Sequence, residues 1–354
     1  MRVLFASRTP FYPFRLGGAA RCSHRLLLRL QARGHEVSVL TGLGRGAFRV
    51  PQSADRPVLG VRAIAGPDPW RVDVGYPVIA TAELDGALAE ALDARPDLVW
   101  SQLRGASEIL GGARARGLSA LWYLHDALHD AESLRAATAQ GVTLVANSRF
   151  LARRVVDQTG VEPDIVYPLL DEDVRVEPVP DGFVTLVNPV PDKGVEVALD
   201  VAARMPEVPF LFVESWPLPV DYLAQLKGFL AAQRPNVTFW SRVADVRQFY
   251  ARTRVLLVPS QWEETHGRVV REAQQSGIPV VASDRGGLPE AVGEGGRLVP
   301  AHSPREVWVE ALRSVLADPG PWRARARAAA ADPKWDPEAT TDRFLEACAR
   351  ARGQ

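Results

Sequence analysis

Glu264 and Glu272 stand eight positions apart in the stretch Trp262-Glu263-Glu264-Thr265-His266-Gly267-Arg268-Val269-Val270-Arg271-Glu272-Ala273. An apolar run, Val255-Leu256-Leu257-Val258, precedes it, and Ile278-Pro279-Val280-Val281-Ala282 follows it. The two runs read as parallel strands and Arg268 to Gln275 as the helix between them. The polar loop with Gly267 then sits at the carboxyl end of a strand, where open α/β sheets take their ligands. The first turn of the helix exposes unpaired N–H groups and the positive end of its dipole, which suit a phosphate or a sugar oxygen. A carboxylate accepts paired hydrogen bonds from vicinal hydroxyls. Two carboxylates bracketing an anion-binding turn therefore point to a ligand that carries sugar and phosphate together, as a nucleotide-sugar does.

The rest of the chain supplies two alternating strand–helix halves to hold that loop. In the first, Val3 to Ala6, a helix from about Ala19 to Ala32 stopping at Gly34, and Val37 to Leu40 make a strand–helix–strand unit. Leu98 to Trp100, Ala120 to Leu124 and Thr143 to Ala146 are further buried-strand candidates, and Ala82 to Ala94 is a helix candidate. Pro168, Pro178 and Pro180, set among five acidic residues, mark an interdomain linker. The rhythm then restarts with Phe183 to Val187, a helix from about Val195 to Ala203, and Phe210 to Val213. The expected organisation is a Rossmann-like N-terminal domain over 1–170, a linker over 171–182, a Rossmann-like C-terminal domain over 183–335, and a terminal helix over 336–354 packing back on the first domain.

Composition narrows the function classes. The 354 residues are 47% hydrophobic and 24% charged, which excludes disorder, collagen-like and disulfide-scaffold classes. Lys+Arg and Asp+Glu both number 42, so no global field draws nucleic acid or an anionic membrane. Two cysteines, Cys22 and Cys348, make no disulfide framework and point to a reducing compartment. No apolar run approaches the roughly 18 residues of a membrane span, and the N-terminus is too quickly polar for a signal peptide. A cytoplasmic enzyme is the expectation. No Cys/His cluster has zinc spacing, so no metal is assigned.

In these residues the sequence resembles the family 4 retaining glycosyltransferases, which have the GT-B fold. The family's Glu-x7-Glu element matches Glu264 and Glu272, with Pro259-Ser260 before it and Gly277-Ile278-Pro279-Val280 after it. Its glycine-rich turn matches Asp284-Arg285-Gly286-Gly287-Leu288-Pro289-Glu290. The resemblance implies that Glu264 contacts the donor hexose and Glu272 holds the ribose hydroxyls. It also implies that the backbone from Thr265 through His266, Gly267 and Arg268 to Val269 meets sugar and diphosphate. The family usually places an aromatic residue just before the glycine, where this chain has His266; an imidazole there could donate to a sugar hydroxyl, which leaves the sugar open.

Other matches are shorter. Asn188-Pro189-Val190-Pro191-Asp192-Lys193-Gly194 looks like the family's phosphate-binding turn, with Lys193 in the place of its lysine. The family's arginine is replaced around Asn188, and Arg242 and Arg268 are the candidates to stand in for it. Gly17-Gly18 matches the glycine loop of the N-terminal domain. His125 matches a histidine that contacts the donor sugar near the reacting centre; His129 is a decoy four residues on, on the same face if a helix runs there. Asn147-Ser148-Arg149-Phe150 reads as strand-end and helix-cap chemistry.

Four signals carry less. Gly42-Leu43-Gly44-Arg45-Gly46-Ala47 fits a loose dinucleotide fingerprint but lacks a following helix, because Pro51 and Pro57 interrupt. Asp171-Glu172-Asp173 is a formal Asp-x-Asp inside the linker and reads as solvated acid. Arg21, Arg25, Arg29 and Arg33 line one helix face, read as solvated in preference to a lipid dock, so peripheral membrane contact is not favoured. Pro67-Asp68-Pro69-Trp70 and Tyr76-Pro77 suggest an aromatic loop over the cleft, compatible with a small hydrophobic or sugar-bearing acceptor.

The resemblance implies a two-domain GT-B enzyme, its Rossmann-like domains facing a central cleft. It implies a metal-free transfer, with retention, of a hexose-type sugar from a nucleoside diphosphate sugar to a small-molecule or saccharide acceptor. The nucleotide-sugar is a co-substrate, no cofactor is implied, and uridine is the default base. An epimerase or glucan synthase of the same fold, or a nucleotide-sugar-binding protein without turnover, are the rival readings.

Overall fold

The computed structural model describes the chain except residues 16, 44–61, 66–68, 171–173, 242 and 244, and gives 62–65 as backbone only. Four of the segments singled out above, Gly44 to Ala47, Pro67-Asp68, Asp171-Glu172-Asp173 and Arg242, lie outside the described residues. The chain divides into two compact units, Met1–Leu169 with Asp336–Gln354, and Leu170–Trp335.

The first unit is built on nine strands: β1 (Arg2–Ser7), β2 (Glu36–Gly42), β3 (Arg62–Ala65), β4 (Trp70–Asp73), β5 (Pro77–Thr81), β6 (Leu98–Gln102), β7 (Ala120–Leu124), β8 (Thr143–Ala146) and β9 (Asp164–Ile165). Their order in the sheet is β3-β4-β5-β2-β1-β6-β7-β8-β9. Every pairing is parallel except that β4 runs antiparallel to β3 and β5. Helices α1 (Gly18–Ala32), α2 (Leu84–Asp93), α3 (Ala106–Ala115), α4 (Ala131–Ala139) and α5 (Arg149–Thr159) connect them. Strands β6 and β7 are buried along their whole length, as helices on both faces require, and so read as unbroken apolar runs.

The antiparallel pairing of β4 and β5 corrects the described part of the expected aromatic loop. Trp70 opens β4, and Tyr76 is buried with its hydroxyl 2.7 Å from His24 Nδ1. Proline and glycine around 66–77 resembled loop punctuation, but Pro77 is the first residue of a strand, a position that needs no ladder N–H.

The second unit carries six parallel strands: β10 (Phe183–Val187), β11 (Phe210–Val213), β12 (Val237–Trp240), β13 (Thr253–Val258), β14 (Val280–Asp284) and β15 (Gly296–Pro300). They lie in the order β12-β11-β10-β13-β14-β15. This is the doubly wound pattern, whose strand order reverses between β10 and β13. Helices α6 (Val195–Arg204), α7 (Val220–Gln233), α8 (Arg247–Tyr250), α9 (Arg268–Gln275), α10 (Leu288–Val292), α11 (Arg305–Ala317) and α12 (Pro319–Ala330) belong to it. Residues 174–182 pack within this unit: Val176 N–H donates to Ser276 Oγ at 3.0 Å, and Arg323 Nη2 donates to the Pro178 carbonyl at 3.0 Å.

The last helix, α13 (Pro337–Ala351), returns to the first unit and buries Phe344, Ala347 and Cys348 beside Trp100 and Tyr123. It also revises the reading of the arginine stripe on α1. Arg29 and Arg33 pair with Glu338, and Arg33 pairs with Asp342, so part of that face is covered by the chain's own terminus. Cys22 and Cys348 are buried and form no disulfide. Among the described residues no helix is long and apolar enough to cross a membrane.

Candidate functional site

The reversal point of the second sheet gathers the charged residues singled out in the sequence. Lys193 ends a short 3-10 turn, Pro191–Lys193, after β10, and Glu264 lies on the loop after β13. The two strands are neighbours, and Lys193 Nζ donates to Glu264 Oε1. Ser260 Oγ donates to the same oxygen at 3.0 Å.

Backbone contacts fix this pairing. The Asp192 carbonyl accepts from the N–H groups of Gln261 at 2.9 Å and Trp262 at 3.1 Å, tying the lysine turn to the glutamate loop. Gly194 adopts φ +76° and lies so close to the next loop that a Cβ would meet the Pro259 carbonyl oxygen at 1.9 Å. The Gly286-Gly287 turn closes from the other side: a Cβ at Gly286 would meet the Glu264 carbonyl oxygen at 2.5 Å, and one at Gly287 the Thr265 carbonyl oxygen at 2.3 Å. Gly287 N–H donates to the Glu264 carbonyl at 2.6 Å. The glycine-rich turn of the sequence therefore acts as the buttress of the Glu264 loop.

Helix α9 starts at Arg268 after Gly267, which takes φ +77° as its N-cap, and no acidic side chain occupies the first turn. Its first amides are therefore not capped by a carboxylate of that turn. One turn in, Arg268 Nε donates to Glu272 Oε1 at 2.6 Å. Tyr250, fully buried at the end of α8, donates its hydroxyl to Glu272 Oε2 at 2.9 Å and has the Val269 carbonyl 3.4 Å away. Burial, reinforced by the adjacent Glu272 carboxylate, pushes the Tyr250 hydroxyl well above its usual range, which keeps it a donor. Both carboxylate oxygens are thus held, leaving further lone pairs for ligand hydroxyls.

Thr265 and His266 are buried. The His266 ring packs edge-on to Trp335 with centroids 5.4 Å apart. Arg271 stacks on the same indole, its guanidinium carbon 4.0 Å from the Trp335 ring centroid, and donates to the Ala329 carbonyl at 3.2 Å. Burial lowers the Arg271 guanidinium to about 9. His266 is therefore a ring packed inside the Glu264 loop rather than one open on its surface.

Asn188 is buried at the end of β10 with φ +60°, and its Oδ1 accepts from the N–H groups of Ser215 at 2.8 Å and Trp216 at 3.2 Å. Its side-chain oxygen serves the loop after β11. Gly17, Gly18 and His125 belong to the first unit. Gly17 caps α1 with φ −69°, and a Cβ there would meet only the Arg15 side chain, at 3.8 Å. The local fold does not demand a glycine at that position.

His125 follows β7 on a stretch without regular structure; α4 begins at Ala131, capped by Asp130, whose Oδ1 accepts from Ser133 N–H at 2.7 Å. His125 and His129 consequently share no helical face. The His125 ring lies against Tyr123, centroids 4.1 Å apart, and Asn147 Nδ2 donates to its carbonyl at 3.3 Å. Burial, with a smaller effect of nearby His129, pushes the imidazole down to about 3. It is neutral at neutral pH and offers a hydrogen bond rather than a charge. An unfolded histidine titrates near 6.5. Below that pH the unfolded chain binds a proton that the folded chain does not, so this contribution is fully present above about 6.5 and is lost as pH falls towards 3, by at most about 1.4 kcal/mol per pH unit. His125→Gln should flatten the acid limb of a Tm-against-pH curve between about 6.5 and 4; an unchanged limb contradicts the assignment.

Comparison with known proteins places this geometry in a family. Residues 182–318 match the model described as Glycosyl transferases group 1, and residues 16–174 match Glycosyltransferase Family 4. The chain is 30% identical over 382 residues to a D-inositol 3-phosphate glycosyltransferase of Mycobacterium avium (strain 104), covering 92% of this chain and 87% of that protein. It belongs to the family 4 glycosyltransferases. The fold is GT-B: the crystal structure of Anabaena HepE in complex with UDP superposes with a TM-score of 0.77 at 20% identity, over 99% of this chain and 100% of that one. WaaG, a glycosyltransferase of lipopolysaccharide biosynthesis, superposes with a TM-score of 0.66 at 20% identity, over 99% and 100%.

Within this glycosyltransferase three site residues escaped the sequence reading. Ser260 flanks the motif, and nothing in the local pattern distinguishes it from a strand-end serine. Tyr250 and Trp335 lie outside the motif and reach it only through tertiary packing. Tyr250→Phe removes one of the two clamps on Glu272 and, if Glu272 contacts the nucleotide as the resemblance implies, is expected to weaken nucleotide binding about fivefold, the roughly 1 kcal/mol of an ordinary hydrogen bond, because Arg268 still holds the carboxylate. Calorimetric titration with UDP checks this, and unchanged affinity would exclude a role for the clamp.

Proposed function

We propose that this glycosyltransferase moves a hexose-type sugar from a UDP-sugar to a hydroxyl of a small-molecule or saccharide acceptor, with retention of configuration and without a metal ion. The observation that supports it most is the row of two cation–carboxylate pairs, Lys193 with Glu264 and Arg268 with Glu272, at the strand ends where the second sheet reverses. A nucleotide-sugar complements that row. Its diphosphate takes up the lysine and the positive N-terminal end of α9, while its sugar and ribose hydroxyls donate to the carboxylates.

In this reading Glu264 accepts from the hexose and Glu272 from the ribose. As the bond from the anomeric carbon to the diphosphate oxygen breaks, negative charge grows on the diphosphate. Lys193, Arg268 and the helix start stabilise it in place, without reorganisation at the moment of reaction. These fixed cations supply the neutralisation that a metal gives in other transferases. His125, Gly17 and Gly18 contact the donor on family resemblance, and the neutral His125 imidazole acts by hydrogen bonding. HepE has been crystallised in complex with UDP and with UDP-glucose, which favours uridine. The inositol phosphate named for the relatives is the first acceptor to try. Two buried cysteines without a disulfide suit a cytoplasmic location.

Incubation with UDP-glucose alone, and then with inositol 3-phosphate and other small polyols and glycosides, tests the reading. The expected result is acceptor-dependent UDP release, undiminished by EDTA, giving a product whose anomeric proton coupling matches the donor's. Donor conversion without acceptor indicates an epimerase, polymer growth a synthase, and binding without turnover a binding protein. An inverted anomer overturns retention.

A further inference from the structure

We propose that Trp216 is a positioning residue for Lys193: its ring face keeps the ammonium directed at the diphosphate site, and Asn188 holds the ring's loop in place. The inference rests on the reading of Lys193 as the diphosphate contact. Four observations on this chain carry it. The indole of Trp216 is 43% exposed, although large aromatic side chains are ordinarily withdrawn from water. It stands over Lys193, with Nζ 5.6 Å from the ring centroid, within the range of a cation–π contact. Its backbone is clamped by Asn188 Oδ1, which accepts from the N–H groups of both Ser215 and Trp216. Asn188 is buried and takes φ +60°, a conformation asparagine tolerates better than most residues, in order to present that oxygen.

The topology gives the arrangement its sense. Trp216 follows β11, Lys193 follows β10, and Glu264 and Glu272 follow β13, and these strands are consecutive in the sheet. The lysine therefore has a carboxylate on one side and an aromatic face on the other. Before a donor arrives, Glu264 holds the ammonium. Once the donor's hydroxyls occupy that carboxylate, the lysine loses part of its hold, and a long flexible side chain would swing into solvent. The indole face is the contact that persists. It constrains the ammonium without competing for its hydrogens, so all three remain available to phosphate oxygens.

The test is a double-mutant cycle read by UDP and UMP affinity. Lys193→Ala should weaken UDP more than UMP. Trp216→Leu should weaken UDP about threefold to tenfold with a smaller change for UMP, and Trp216→Phe should retain most of the affinity because a ring face remains. In the Lys193→Ala background Trp216→Leu should have no further effect. A Trp216→Leu loss of equal size in both backgrounds, or none in the wild type, overturns the inference while leaving the donor site intact. If Lys193→Ala itself leaves UDP binding unchanged, the underlying reading of Lys193 fails, and the proposal with it. Because the indole is substantially exposed, the variants should unfold at the wild-type temperature without ligand, which separates this effect from general damage.

Discussion

Glu264→Gln is expected to lower the rate of sugar transfer about 100-fold to 1000-fold while leaving UDP affinity within about threefold. The amide has the shape of the carboxylate, and its oxygen can still accept from Lys193 and Ser260, the two donors that hold Glu264 Oε1. What disappears, in the proposed function, is the negative charge facing the hexose. A sugar losing its diphosphate develops positive charge at the anomeric carbon, and a fixed carboxylate favours that state over the ground state. Removing one preorganised electrostatic partner of this kind costs about 3 to 4 kcal/mol of transition-state stabilisation. Steady-state kinetics with saturating UDP-glucose would measure it. A variant with near-normal turnover would remove Glu264 from the reaction, and one that lost UDP binding in proportion would reassign it to the nucleotide.

Gly194→Ala should be the most damaging single-methyl change in the second unit. The residue has φ +76°, and the added Cβ would approach the Pro259 carbonyl oxygen to 1.9 Å, a backbone atom that cannot swing aside. Left-handed strain and overpacking together cost about 2 to 4 kcal/mol. The damage falls on the site as well, because the turn and the loop must separate and the Asp192 contacts to Gln261 and Trp262 go with them. Thermal unfolding should shift down by several degrees and transfer activity should be lost beyond what the residual folded fraction explains. Gly228→Ala is the control: a Cβ there meets nothing within 4 Å. Equal behaviour of the two variants would contradict the close approach.

In the second unit β10, β11, β13 and β14 with helices α6 and α9 were legible, because these strands are short apolar runs bounded by turn residues, whereas β12, β15 and the other helices carried no comparable signal. The boundaries of β10, β11 and α9 coincide with the runs Phe183 to Val187, Phe210 to Val213 and Arg268 to Gln275. Parallel strands buried on both faces announce themselves by composition, whereas short antiparallel strands with one exposed face do not. The antiparallel strands β4 and β5, next to the edge strand β3, carry proline and polar residues, which disguise them as a loop. In the site, the motif located Glu264, Glu272 and Lys193 but gave no sign of which residues grip them. Tyr250 lies 22 positions before Glu272 and looks like any core aromatic. The arginine stripe of α1 shows the opposite failure: its period was plain, but its partners, Glu338 and Asp342, are about 309 positions away.

Calorimetric titration of UDP into the wild-type chain and into Glu272→Ala addresses the donor site most directly. One UDP per chain is predicted for the wild type, with affinity at least tenfold weaker in the variant, about 1.4 kcal/mol. No binding by the wild type, or equal binding by the two proteins, would mean that the acid-flanked start of α9 does not hold a nucleotide.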